Sequence, residues 1–282
     1  MLELIRWKNI ALVCITILAI TFTFMPIDSW TEAIFSILSL CIYISCFTIF
    51  GYLLNDAYDQ SIDAINHPMK RTNHLSKSWL IKVAIGFGLV GFIIVPVGLS
   101  EFGRSLTLLG ITVFLLLWAY NAFLKCMPIW GNILVALLCA LVPLCTLFIY
   151  QEPLMVIWVI AYTIFAYGSN LIREIVKDVE DLDGDRSAGC ETLPVRIGFL
   201  LTKKILLFIN SIFILALIAA MWILPLSILS KFFYILMIIL PAAWIFLKTA
   251  TTVDYKHYSR ISMLSKSAMV LALIFLLMQK WI

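Results

Sequence analysis

Long apolar runs constrain this chain more than any other feature. Nine segments of about twenty mostly apolar residues succeed one another, near residues 10–27, 33–54, 83–100, 105–124, 129–150, 153–172, 205–226, 232–250 and 261–280. In hydrocarbon every backbone N–H and C=O must be bonded inside the protein, which selects helices or closed barrels. A barrel strand alternates polar and apolar residues, whereas "ILVALLCALVPLCTLFIY" is apolar on consecutive positions. The expected fold is therefore an all-α membrane protein, with nine transmembrane helices in a single domain over residues 1–282. At 63% hydrophobic residues the chain lies well above the roughly 45–50% of soluble domains. The flank "MLELIRWKN" resembles a signal-peptide n-region, but no small-residue cleavage site follows, so the first run is expected to be a retained span.

Charge fixes the expected orientation. With the N-terminus in the cytoplasm, only Arg104, Lys231 and Lys280 of the 20 Lys and Arg fall on the far side. The positive-inside rule favours that arrangement, giving a multi-pass protein of the cell membrane with its acidic connections cytoplasmic. The net charge of +4 arises in these flanks and calls for no nucleic-acid partner. Seven cysteines are scattered without a CxxC pair. They read as small buried apolar residues rather than as a metal or disulfide framework. His67, His74 and His257 lie between runs without metal-ligand spacing and read as solvated or structural.

The acids are gathered rather than scattered. Asp56, Asp59 and Asp63 lie between the second and third runs, and Glu174, Asp178, Glu180, Asp181, Asp183, Asp185 and Glu191 between the sixth and seventh. Both groups belong to the same predicted side. Asp56, Asp59 and Asp63 follow D-x-x-D-x-x-x-D, and so do Asp178, Asp181 and Asp185. On a helix such residues share one face, where like charges repel, so a cation must offset them. Mg²⁺ suits the role, being held by one or two carboxylates together with substrate phosphates. A solvated acidic rim would explain one such motif; two copies with one spacing on one side favour a shared site. Gly184 predicts a helix break inside the second copy, which would leave Asp185 on a loop.

Further stretches accompany the aspartates: "DAINHPMKR" (63–71), "YNAFLK" (120–125), "PIWGNILVA" (128–136), "REIVKDVEDLDGDRSAGCETLPVRIG" (173–198), and Arg6 with Asn9 as R-x-x-N. Together with N-D-x-x-D-x-x-x-D at 55–63, they resemble the UbiA superfamily of intramembrane prenyltransferases. The resemblance runs from residue 6 to about 200, and the last three runs match in hydropathy only. Within the superfamily, the 173–198 stretch looks most like digeranylgeranylglyceryl phosphate synthases and their bacterial relatives. One departure is Lys70–Arg71–Thr72, where many members carry Arg-Pro.

The resemblance implies a bundle around a central cavity and a Mg²⁺-dependent transfer of a prenyl group, geranylgeranyl by preference, from its diphosphate. The acceptor is a lipid or an aromatic, with geranylgeranylglyceryl phosphate favoured. Asn55, Asp56, Asp59 and Asp63 would hold one metal, and Asp178, Asp181 and Asp185 a second. Lys70, Arg71, Lys125, Arg173 and Lys177 would contact the diphosphate. Tyr120 and Lys125 would act beside the aspartates, and Arg6 and Asn9 would meet the acceptor's head. The prenyl tail needs shelter, which Phe47, Phe50, Phe114, Trp118, Trp158, Tyr162 and Tyr167 could supply. Two alternatives stay open: a UbiA-type terpene cyclase ionising the same donor, and a polytopic transporter binding a divalent ion. The transporter predicts ionisable residues within the spans, and runs one, two, five and six hold almost none. Oligomeric state and the choice between Mg²⁺ and Mn²⁺ are not encoded in these motifs.

Overall fold

The apolar runs fold as helices, the only way for such segments to satisfy their own backbone. A computed structural model describes residues 4–60, 63, 71–98 and 102–282. Among the described residues, nine helices are long and apolar enough to cross a membrane. The first four are α1 (Trp7–Phe24), α2 (Ile27–Tyr58), α3 (Lys77–Gly98) and α4 (Gly103–Ala119). They are followed by α5 (Trp130–Leu144) and α6 (Pro153–Glu180). Two short helices, α7 (Leu182–Ser187) and α8 (Leu193–Ile197), precede α9 (Phe199–Ile223). A five-residue π turn joins α10 (Ile228–Tyr234) to α11 (Leu240–Thr251) as one rod, and α12 (Tyr258–Met278) completes the bundle.

Helices two and six overrun their apolar segments. At a rise of 1.5 Å per residue, their 32 and 28 residues extend to about 48 and 42 Å, beyond the roughly 30 Å hydrocarbon layer. Both pass the apolar run at their C-terminal ends, and α2 also begins ahead of it, at Ile27. Asn55, Asp56, Glu174, Asp178 and Glu180 therefore stand on helix ends rather than in the connections where the sequence places them.

Side-chain bridges between helix ends define two ends of the bundle. Thr23 donates to the Leu276 carbonyl at 3.4 Å and Lys280 to the Phe22 carbonyl at 2.5 Å, pairing the last turns of α1 and α12. At the opposite end Arg6 meets the close of α2, Lys203 donates to the Thr252 carbonyl at 2.8 Å, and Tyr255 donates to Asp183 at 2.9 Å. Two stretches of core run between these ends. Phe50, Leu53 and Leu54 of α2 pack with Leu80 and Ala84 of α3, and Phe50 stacks on Phe114 at 4.4 Å. Helix α6 carries the larger core, with Trp158, Ile172, Ile175 and Val176 against Leu206 and Phe213 of α9 and Tyr258 and Phe275 of α12. Trp158 and Tyr162 also line a separate apolar cavity of about 420 Å³ between α6, α9, α10 and α12. Outward, α9 exposes Phe208, Ile212, Leu215 and Trp222, a surface suited to lipid rather than water. The chain is a multi-pass integral membrane protein.

Candidate active site

The two D-x-x-D-x-x-x-D copies fold the same way. The middle aspartate of each ends a long helix: Asp59 caps α2 with φ −94° and ψ 1°, and Asp181 caps α6 with φ −92° and ψ 8°. Each cap N–H bonds back four residues, Asp59 to the Asn55 carbonyl and Asp181 to the Lys177 carbonyl, both at 2.9 Å. The third aspartate then bonds to the second, Asp63 to the Asp59 carbonyl at 2.7 Å and Asp185 to the Asp181 carbonyl at 3.0 Å. The second copy differs from expectation in where it breaks. Gly184 lies inside α7, and the interruption falls at Asp181, so Asp185 is helical rather than on a loop.

Both copies face one polar cavity of about 290 Å³. Asn55, Asp59 and Asp63 reach it from one side, and Glu174, Asp178, Asp181 and Asp185 from the other. Arg6, Lys125 and Lys177 supply its cations. Arg6 enters α1 in a left-handed conformation, φ 50°, and its guanidinium donates to Asp56 at 2.7 Å and Asn55 at 3.4 Å. Asp56, 2% exposed, is thus tied to Arg6 and is not among the cavity-lining residues. Asn9 donates to the Tyr52 hydroxyl at 3.1 Å and Arg173 pairs with the cavity-lining Glu174, but neither Asn9 nor Arg173 is itself among the lining residues. Lys70 lies outside the described residues, as does the side chain of Arg71.

Tyr120 and Lys125 reach the cavity through an irregular turn. Five residues at about 100° each would set them about 140° apart on an α-helix. Instead α4 continues as a π turn over Tyr120–Leu124, closed by Lys125 N–H on the Tyr120 carbonyl at 2.9 Å. Wider turns of this kind concentrate at functional sites, and here one brings both side chains to the same cavity. Gly131 makes room for it: a Cβ there would lie 3.0 Å from the Leu124 carbonyl oxygen and 3.4 Å from Lys125 Cα.

Each patch is held by partners of different kinds. Lys125 forms an ion pair with Asp59. Asn132, at the start of α5, donates to Asp178 at 2.8 Å, and Thr192 donates to Asp185 at 3.0 Å. The Asp181 carboxylate lines the cavity and receives no hydrogen bond or ion pair among the described residues. Burial and the neighbouring Lys177 push the Lys125 ammonium down to about 7, against the pull of Asp185 and Asp181; its contact with Asp59 also favours the charged form. Burial raises the Asp185 carboxyl more than the Thr192 hydrogen bond lowers it, and Asp181 adds to the rise. Both shifts follow first from burial, which disfavours the charged form of each group. The donor set is hard carboxylate oxygen, which fits magnesium. Among the described residues no three such side chains converge closely enough to enclose an ion alone, and Mg²⁺ commonly completes its shell with water and substrate phosphate.

Asn132 and Thr192 escaped the sequence reading, although both lie in stretches that carry the family resemblance. An amide opening an apolar helix and a threonine before Leu-Pro are ordinary on their own. Only the fold aims them at carboxylates. The cysteines require a correction: Cys126 and Cys190 form a disulfide, although neither belongs to a CxxC motif. They are 64 residues apart in sequence, so spacing could not reveal the pair.

Comparisons with known proteins agree with this geometry. The model of the UbiA prenyltransferase family matches residues 12–274. A digeranylgeranylglyceryl phosphate synthase of Korarchaeum cryptofilum is 39% identical over 153 residues, covering 52% of this chain and 51% of that protein. One from Sulfolobus acidocaldarius is 31% identical over 205 residues, covering 70% and 69%. The chain thus matches about half the length of the first of these curated relatives. Among solved structures, a digeranylgeranylglyceryl phosphate synthase superposes with a TM-score of 0.75 at 19% identity, covering 99% of this chain and 96% of that one. A UbiA homolog from Archaeoglobus fulgidus bound to DMAPP and Mg²⁺ gives 0.66 at 18% identity, with 98% of each chain covered. The chain belongs to the UbiA prenyltransferase family.

Proposed function

We propose that this protein is a Mg²⁺-dependent intramembrane prenyltransferase moving a geranylgeranyl group from its diphosphate to geranylgeranylglyceryl phosphate. The observation that carries the reading is the charge of one cavity. Six carboxylates and three cations line it, so its wall is net anionic, and a diphosphate cannot enter without cations of its own. Asn55, Asp59 and Asp63 on one side, with Asp56 behind them, and Asp178, Asp181 and Asp185 on the other, would hold magnesium. When bound, magnesium neutralises the donor's phosphate oxygens and stabilises the charge that grows on the leaving diphosphate.

The chain's own groups do the rest. Lys125 and Lys177 meet phosphate oxygens as point charges, and Lys125 exchanges Asp59 for phosphate when the donor arrives. Lys70, Arg71 and Arg173 are further diphosphate contacts in this reading. As the C1–O bond breaks, its electron pair leaves with diphosphate and positive charge spreads over the allyl unit, where the Tyr120 ring can face it. The acceptor's hydroxyl oxygen bonds to C1 and loses its proton to a cavity carboxylate. Arg6 and Asn9 would meet the acceptor's head in this reading. The choice of acceptor is supported by the names of the two relatives described above, both digeranylgeranylglyceryl phosphate synthases. The orientation is supported by the distribution of the basic residues, of which only Arg104, Lys231 and Lys280 fall on the far side of the spans, so in this reading the acid end faces the cytoplasm.

A donor-by-acceptor panel on purified protein tests the reading. Geranylgeranyl diphosphate with geranylgeranylglyceryl phosphate and Mg²⁺ is expected to give the diether product, and 4-hydroxybenzoate or a naphthoate little. A terpene hydrocarbon formed without acceptor would mean a cyclase instead. Asp59→Ala and Asp181→Ala should each abolish turnover while the protein still purifies folded; activity near wild type in either contradicts the site.

A further inference from the structure

Two cysteines outside the transfer chemistry join the segments that carry it. Cys126 directly follows Lys125, and Cys190 lines the polar cavity between Asp185 and Thr192. Their Cα atoms are 4.5 Å apart. Two backbone bonds run alongside: Glu191 N–H to the Cys126 carbonyl at 3.0 Å, and Cys190 N–H to the Asp185 carbonyl at 2.9 Å. The sulfur bridge therefore fastens the Lys125 turn to the segment that presents Asp185. Cys14, Cys41, Cys46, Cys139 and Cys145 are free, and all lie on the membrane helices or their continuations.

We propose that Cys126 and Cys190 are a reversible oxidative modification site that sets how tightly the cavity grips a diphosphate. This rests on the function proposed above. Without the bridge, the two segments are joined here by the backbone bond from Glu191 N–H to the Cys126 carbonyl. With it, Lys125 and Asp185 are held at a fixed separation before ligand arrives, and such pre-organisation strengthens binding by reducing what must be ordered. The oxidised form is the tighter binder.

The chemistry needs an oxidant of the small-molecule disulfide class, such as oxidised glutathione. Cys126 is half-buried and Cys190 is 4% exposed, so Cys126 is the sulfur that meets the oxidant. Its thiolate attacks one sulfur of the oxidant, expels a thiolate and forms a mixed disulfide. Cys190 then attacks the Cys126 sulfur and expels the second thiolate. The two electrons and two protons lost by the cysteines end on two small thiols, and a dithiol reverses the sequence. Cytoplasmic thiols hold such pairs reduced, so with the acid end on that side oxidation raises donor affinity when the thiol pool is oxidised.

The test uses full-length protein in lipid nanodiscs, poised with oxidised glutathione or with dithiothreitol. Alkylation in denaturant followed by intact mass should count five modified cysteines in the oxidised form and seven in the reduced form. Oxidised protein should show a severalfold lower KM for geranylgeranyl diphosphate and slower tryptic cleavage after the exposed Arg186. Cys126→Ser and Cys190→Ser should each erase both differences. Seven alkylated cysteines after oxidant, or a KM and a cleavage rate indifferent to redox state, overturns the proposal. Should no preparation turn over any donor, the functional reading fails, while the cysteine count and cleavage rate still decide the bridge.

Discussion

Lys125 and Asp59 form the pair on which the polar cavity turns. In the absence of ligand the ammonium already occupies the carboxylate that a metal would need, so Lys125 and magnesium compete for Asp59 until phosphate draws the lysine away. Lys125→Met is expected to bind Mg²⁺ more tightly by calorimetry without donor, yet to turn over far more slowly. Weaker Mg²⁺ binding in that variant contradicts the competition. Asn132 has a quieter part, fixing Asp178 through one amide hydrogen bond. Losing such a supporting contact typically costs about 10–100-fold in metal affinity or activity. Asn132→Leu should therefore fall in that range, with rescue at higher Mg²⁺; unchanged kinetics would detach Asn132 from the site. The carboxylates were legible in the sequence because their spacing repeats. The amide and hydroxyl that hold them were not, since each becomes functional only by touching another helix.

Helices α6 and α9 meet without room to spare. A Cβ added at Gly168 would fall 2.4 Å from the Phe213 ring, and a rigid aromatic cannot swing clear. Gly168→Ala should cost ~1–3 kcal/mol through overpacking, seen as a lower unfolding midpoint in detergent. Combining it with Phe213→Leu should recover most of the loss, because residues in contact are not additive. Hydropathy placed every one of the nine spans but shortened α2 and α6, since it registers the apolar layer and not the polar turns beyond it. Gly184 misled for a related reason: glycine weakens a helix on average, yet the short helix α7 contains it.

At the scale of the molecule, nine crossings put the two chain ends at opposite ends of the bundle, and the pairing of α1 with α12 at the far end fits that count. An impermeant thiol reagent should label Asp183→Cys only from the cytoplasmic side and Lys280→Cys only from the other, read against the unlabelled wild type. The reverse pattern inverts the orientation. Chelation should stop turnover completely and Mg²⁺ restore it, because a net anionic cavity repels the donor without added cations.

Sequence alone determined that the chain lives in a membrane, how many times it crosses, and that two matched sets of carboxylates stand at one end, because apolar length, basic flanks and residue spacing are local properties of the chain. Tertiary structure decided that the two sets share one cavity, that a wider turn brings Tyr120 and Lys125 to it, which side chains brace each carboxylate, and that Cys126 meets Cys190. Those are facts about how separate helices are rotated and packed against each other, and no periodicity within a single helix contains them.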